Sequence, residues 1–301
     1  MNASVSAAYL LVIIIWSTTP LGIIWSNESV HPTMAALLRM LIALVLGLII
    51  IYIGKVKFPI SRDAIRLYIY SSLGISVGML LTYLSANYLS SGVISLMYGF
   101  LPIVSGLFAS PILGEKKFNL ITKIAMGIAL TGLTLVSYDG LLLEQESWPG
   151  FVYIFIAVTV FALSSVLVKT VKININPLST TVGALIFSIP VFTLAWIFLD
   201  GTLPIHQWQT RSLLAILYLG VLGSLVGFVA YFYVLQKLPA SKVALITLAA
   251  PIFAIFIGWL FNDELITFKL IIGAGLVLIG LTLFLFADSL IRSVKKLNAR
   301  H

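Results

Sequence analysis

Residues 74–115 read GISVGMLLTYLSANYLSSGVISLMYGFLPIVSGLFASPILGE, and residues 223–264 read GSLVGFVAYFYVLQKLPASKVALITLAAPIFAIFIGWLFNDE. Laid on one another at a constant offset of 149 and without a gap, they place Gly74 on Gly223, Gly78 on Gly227, Leu89 on Leu238, Pro102 on Pro251 and Glu115 on Glu264. The matched positions have mechanical meaning: a GxxxG pair, a short polar connection, a proline inside an apolar run and an acidic residue that closes it. Features shared in one order over such a length read as a duplicated structural unit.

The copy extends both ways. The run from Gly127 to Leu135 lies on Gly275 to Leu283 at an offset of 148, and upstream Trp16 falls on Phe161 and Pro32 on Pro177 at 145. The chain therefore divides into two halves, 1–145 and 146–301.

Of the 301 residues, 60% are hydrophobic and 9% charged, and the mean hydropathy is +1.13. A typical soluble domain carries roughly a quarter charged residues. Here the apolar residues arrive in blocks of about 20, the length that crosses about 30 Å of hydrocarbon as a helix. The blocks fall near 6–25, 33–53, 67–86, 92–113, 120–138, 149–168, 179–199, 212–235, 241–261 and 269–287. The alternation that marks membrane β-strands is absent. The first block lacks a preceding basic region and a small-residue cleavage site, so it reads as a retained span. The expected fold is all-α and integral to the membrane, with ten transmembrane helices in two five-helix repeats.

Lys and Arg set the orientation. One side carries Lys55, Lys57, Arg62, Arg66, Lys116, Lys117, Lys123, Lys169, Lys172, Lys237, Lys242, Arg292, Lys295, Lys296 and Arg300, the other only Arg211 and Lys269. Both termini are therefore expected in the cytoplasm. The same bias accounts for the net charge of +8 without nucleic acid as a partner. Because five is odd, the second half enters the membrane upside down, which makes the repeat an inverted one. Inverted repeats are the architecture of many alternating-access transporters.

The spans, the Trp16-Ser-Thr-Thr-Pro20 stretch, Leu38-Arg39-Met40 early in the second span and the proline-to-glutamate helix endings together resemble the drug/metabolite transporter superfamily, specifically its EamA-type members. The resemblance covers essentially the whole chain. It implies an exporter of amino acids, other small metabolites or drugs, in a bacterial inner membrane. The second half departs from the pattern at Phe161 and Ala184, where the first has Trp16 and Arg39, so the halves are not expected to be functionally equivalent.

Pro20, Pro102 and Pro251 each remove the helical partner of the carbonyl four residues earlier, which marks them as kink or gating positions. Either those carbonyls face a wet cavity, or neighbouring hydroxyls such as Ser17, Thr18 and Thr19 satisfy them. The glycine pairs Gly74/Gly78 and Gly223/Gly227 are expected to admit a partner helix closely. With the duplication in one chain a monomer suffices, a dimer remaining open.

Arg39 is the one charge inside a span away from its end, and intramembrane charge usually marks a partner or a substrate path. Three roles stand: holding a substrate carboxylate, capping carbonyls of a neighbouring helix, or snorkelling to the interface. On the spans that line the central cavity in the family this chain resembles, the other cavity candidates are Trp16, Tyr83, Asn87, Tyr98, Ser164, Ser165, Tyr231 and Tyr233.

The chain has no cysteine, so neither a disulfide nor a thiolate metal site is expected. His31, His206 and His301 fall in loops or at the terminus and form no metal cluster. No phosphate-binding loop is found, so no cofactor is expected and energy comes from a gradient of substrate or ion. The first span also lacks the intramembrane glutamate of small multidrug antiporters. The partners expected are a small-molecule substrate and the lipid bilayer. The function expected is export of small polar metabolites, amino acids or their relatives, by alternating access, with a multidrug exporter as the alternative. A membrane-embedded enzyme on lipid-linked substrates is the less favoured reading, since Asp139, Glu144, Glu146, Asp200, Asp263 and Glu264 form no recognisable motif.

Overall fold

A computed structural model describes residues 3–115, 118–143, 147–237 and 246–298. Lys116, Lys117, Glu144, Glu146, Leu238, Lys242, Arg300 and His301 lie outside the described residues, as do the boundary between the halves at 145–146 and the start of the block expected at 241–261.

Helices follow one another along the chain: α1 Ala3–Asn27, α2 Pro32–Ile53, α3 Arg62–Ser85, α4 Ser91–Leu113, α5 Leu120–Leu143, α6 Trp148–Thr170, α7 Pro177–Leu199, α8 Thr210–Lys237, α9 Ile246–Asn262 and α10 Phe268–Asn298. A 3-10 turn at Ile205–Gln207 joins α7 to α8, and no strand occurs among the described residues. Among the described residues, seven helices are long and apolar enough to cross a membrane: α1 to α4 and α6 to α8. The expected count of ten is therefore met in part. Within α5, α9 and α10 the apolar helical runs are Leu120–Val136, Ala250–Asn262 and Phe268–Phe284 among the described residues.

Local chemistry fixes the helix ends. Ser61, Asn119, Asn176 and Thr267 accept hydrogen bonds from Ala64 N, Thr122 N, Leu178 N and Leu270 N at the starts of α3, α5, α7 and α10, each satisfying an N–H that the helix leaves over. The other ends of α4 and α9 are built alike. Gly114 at φ 68° and Asp263 at φ 50° are left-handed, and the next residue's N–H turns back to a carbonyl, Glu115 N to Ala109 O at 3.4 Å and Glu264 N to Gly258 O at 3.3 Å. Glycine adopts that backbone freely and aspartate is among the few residues that tolerate it. The two stops sit at the 149-residue offset.

Packing repeats the duplication. α5 packs on α10, α2 on α7 and α4 on α9; α1 packs on α8 and α9 as α6 packs on α3 and α4; α2 packs on α8 as α7 packs on α3. Exchanging every helix for the one five later returns the same set of principal pairings. The α5–α10 pair shows why the glycines recur. A Cβ on Gly132 would stand 2.8 Å from Val277 N, and one on Gly280 would stand 2.7 Å from Ala125 O. The backbones touch because both positions lack a side chain.

The GxxxG pairs serve close approach as expected. Gly74 faces Phe161 and Ser164 of α6, while Gly223 faces the Arg39 guanidinium of α2 and Gly227 faces Ile15 of α1. Unforeseen was the backbone: α3 passes through a π-helical turn at Gly74–Gly78 and α8 through a longer one at Leu219–Val226. Such turns are rare and concentrate at functional sites.

The prolines differ from one another. Pro102 follows a break in α4 at Gly99 and Phe100, whereas α1 runs on through Pro20 and α9 through Pro251. Around Pro20, Ser17, Thr18 and Thr19 donate to carbonyls of Ile13, Ile14 and Ile15, one to three residues before the Trp16 carbonyl that the proline leaves free.

Candidate functional site

Two cavities lie on either side of an aromatic cluster. The first, a partly open cleft, is bounded by Trp16, Thr19, Pro20 and Ile23 of α1, Met79 and Thr82 of α3, Ile94, Ser95 and Tyr98 of α4, Phe161 of α6 and Ala250 of α9. The second, a partly open cleft, is bounded by Phe161, Ser164, Ser165 and Val168 of α6, Phe228, Tyr231, Phe232 and Leu235 of α8 and Ser71, Gly74 and Ile75 of α3.

Their walls correspond. Trp16, Thr19, Pro20 and Ile23 become Phe161, Ser164, Ser165 and Val168 at the offset of 145, and Met79 and Thr82 become Phe228 and Tyr231 at 149. Phe161 belongs to both cavities. Its ring meets Trp16 edge-on at 6.2 Å, Tyr98 edge-on at 6.1 Å and Tyr231 at 6.1 Å, and Tyr231 lies 5.2 Å from Trp16. Aromatic centroids at 4.5–7 Å attract beyond their buried area. The counterparts Trp16 and Phe161 thus touch in the middle of the molecule.

Few polar groups interrupt these walls. Thr82 and Tyr98 share a hydroxyl hydrogen bond of 2.7 Å in the first cavity. In the second, Ser164 Oγ donates to Tyr70 O at 2.7 Å and Ser165 Oγ to Ala162 O at 2.7 Å. An apolar, aromatic cleft with a few placed hydroxyls suits a small molecule held by stacking and oriented by hydrogen bonds.

Trp16, Tyr98, Ser164, Ser165 and Tyr231 line one or the other cavity. Asn87 and Tyr233 do not. Asn87 is exposed beyond the end of α3 and accepts from Asn27 Nδ2 at 3.2 Å, and the Tyr233 hydroxyl meets Ser4 Oγ at 3.3 Å. Asn87 falls just past the expected span 67–86 and past the helix end, while Tyr233 stands on its span but is turned toward α1. Phe161, a departure from the family pattern, is not among the sequence candidates, although its place opposite Trp16 in the repeat points to it. Phe228, Phe232 and Thr82 carry no comparable mark.

Arg39 and Tyr83 stand apart from these walls as a buried pair. Both are 0% exposed. Arg39 Nε donates to Ser224 Oγ at 2.7 Å, within the π-helical turn of α8, and the guanidinium carbon lies 5.9 Å from the centre of the Tyr83 ring. Neither Nη1 nor Nη2 has a hydrogen-bond partner, and neither has the Tyr83 hydroxyl.

A polar chain ties α1, α8, α9 and α4 together past the end of the first cavity. Arg211 pairs with Glu28 at 3.1 Å and lies over Trp25 at 4.4 Å. Trp25 Nε1 donates to Asn262 Oδ1 at 2.9 Å, and Asn262 Nδ2 to Glu264 Oε1 at 3.3 Å. The Glu264 carboxylate then accepts from Ser91 N at 3.0 Å and Gly92 N at 3.4 Å. A carboxylate there complements both the leftover N–H groups and the positive end of the α4 dipole.

The sequence model of the EamA-like transporter family matches residues 4–138 and again residues 148–286. The uncharacterized transporter YoaV of Bacillus subtilis is 26% identical over 281 residues, covering 92% of this chain and 95% of that one. Protein PagO of Salmonella typhimurium is 26% identical over 304 residues, covering 96% and 95%. A protein of known crystal structure superposes with a TM-score of 0.64 at 16% identity, over 94% of this chain and 98% of that chain. At that identity the likeness speaks for the fold alone.

Proposed function

The chain belongs to the EamA-like transporter family and is a multi-pass membrane protein, and from that premise we propose that it is a secondary transporter exporting small polar metabolites, amino acids or related compounds, by alternating access. The observation that carries the reading is the pair of cavities built from repeat-equivalent residues on either side of the Trp16–Phe161 contact. All ten helices cross, α5, α9 and α10 included, and the halves sit in opposite orientations. Both termini face the cytoplasm, across the inner membrane of a bacterium. The first cavity then lies in the outer half, since α1 runs outward from Trp16 to Ile23, and the second lies in the inner half, since α6 runs inward from Phe161 to Val168.

Opening one cavity while the other closes exposes the aromatic cluster to each side in turn. The polar chain from Glu28 to Ser91 closes the outer mouth. One chain supplies both halves, so the functional unit is a monomer.

A multidrug exporter is the second reading, favoured by the first cavity's mostly apolar wall. Proteoliposomes loaded with a panel of amino acids or of lipophilic cationic drugs separate the two. The first reading expects counterflow of at least one amino acid, abolished by Trp16→Ala; counterflow of the drugs alone would install the second, and movement of neither would overturn both.

A further inference from the structure

Arg39 is the only charged side chain buried among the described residues, and the fold leaves its bonding unfinished. Its own reach does not bring it to an interface, because the whole side chain is covered. Nor does it cap a helix: Nη1 and Nη2 meet no carbonyl, and the ion pairs among the described residues do not include it. Leaving a guanidinium in this state inside a membrane protein is expensive. The Tyr83 ring lies against the guanidinium, its centre 5.9 Å from Cζ, and its hydroxyl is equally buried and equally without a partner. This corner of the molecule offers several donors and lacks an acceptor.

The missing acceptor can be described. A planar fork with Nη1 and Nη2 both free matches two oxygens of one carboxylate, and charge-assisted bidentate pairing is the strong form of such a bond. One positive charge with no second basic neighbour suits a monoanion better than a phosphate dianion. Gly223 backs the site, its absent Cβ falling 3.1 Å from Nη2, so the glycine leaves the fork room. Tyr83 also stands one helical turn along α3 from Met79, on the same face, and Met79 lines the first cavity. The aromatic end of a solute can then rest on Trp16 and Phe161 with its acid end directed along α3.

We propose that Arg39, assisted by the Tyr83 hydroxyl, is the subsite that holds the carboxylate of the transported solute. The assignment rests on the transport reading and names its substrate class as monocarboxylates, zwitterionic amino acids among them. Occupancy accompanies a conformation in which α2 and α8 part, so the ligand stabilises that conformation.

The test uses the purified full chain in detergent, with acetate, benzoate, L-leucine and L-phenylalanine each compared with its amide, binding being read from tryptophan fluorescence and the thermal melt. At least one acid is expected to bind, with its amide about tenfold weaker or worse. Arg39→Lys is expected to lose about tenfold for that acid, and Tyr83→Phe roughly threefold, while the amide's affinity stays put. Equal binding of acid and amide, no binding by any acid, or unchanged acid affinity in Arg39→Lys would each overturn the subsite. So would a melt raised by chloride alone in the wild type and not in Arg39→Lys, the mark of an inorganic anion. Should Arg39→Lys fail to fold, the acid-to-amide ratio and Tyr83→Phe decide. Counterflow of the acid at the wild-type rate in Arg39→Lys would leave transport standing and remove the subsite; acid binding without movement of any solute would do the reverse.

Discussion

Phe161 concentrates the account at the scale of a residue. It is 6% exposed, touches its repeat counterpart Trp16 and belongs to both cavities. Phe161→Ala is expected to cost about 3–5 kcal/mol, the usual loss for a buried phenylalanine, read from denaturant unfolding in mixed micelles. Tyr98→Phe removes only the hydroxyl bond to Thr82, whose Oγ1 keeps its bond to Gly78 O. A cost of about 1 kcal/mol is therefore expected, in the same assay. Of the positions singled out from sequence, Trp16, Tyr98, Ser164, Ser165 and Tyr231 have a repeat counterpart or a place on a long helix, and these line a cavity. Asn87, past the end of α3, and Tyr233, whose hydroxyl meets Ser4, line neither cavity. The structure also narrowed Arg39, whose burial removes snorkelling and whose idle nitrogens remove carbonyl capping.

At the scale of an element, close glycine contacts and end caps give the sharpest forecasts. Gly132→Ala drives a methyl against the backbone of α10 and is expected to cost about 1–3 kcal/mol, whereas Gly127→Ala, with nothing within 4 Å, is expected to be neutral or to stabilise by up to about 1 kcal/mol through helix propensity. Thermal melts of the two variants side by side check the contrast; equal shifts would show that α5 and α10 do not meet at Gly132. Glu264→Ala leaves Ser91 N and Gly92 N without their acceptor and is expected to lose about 1–2 kcal/mol, while Arg211→Ala, largely solvated, loses no more than about 1 kcal/mol. Helix existence was readable because apolar blocks about 20 residues long have few other solutions. Two features were not. Nothing in GxxxG distinguishes a plain α-turn from the π-helical turns at Gly74–Gly78 and Leu219–Val226. Likewise Pro102 and Pro251 match in sequence, yet only the first follows a break, at Gly99 and Phe100.

For the whole molecule, the duplication read at offsets of 145 to 149 reappears in the helix pairings, in the reciprocal contacts of Gly132 and Gly280 and in the left-handed stops at Gly114 and Asp263. A sequence states which positions are equivalent; it does not state that Trp16 and Phe161 meet, because contact depends on how the halves dock. The central claim is that the two cavities open to opposite sides of the membrane. Because the chain has no cysteine, single-cysteine variants need no other change, and the repeat counterparts Thr19 and Ser164 line one cavity each. Labelling with a membrane-impermeant thiol reagent, applied to whole cells and to inside-out vesicles, should modify Thr19→Cys only from the outside and Ser164→Cys only from the inside. Modification of both from the same side would contradict the account.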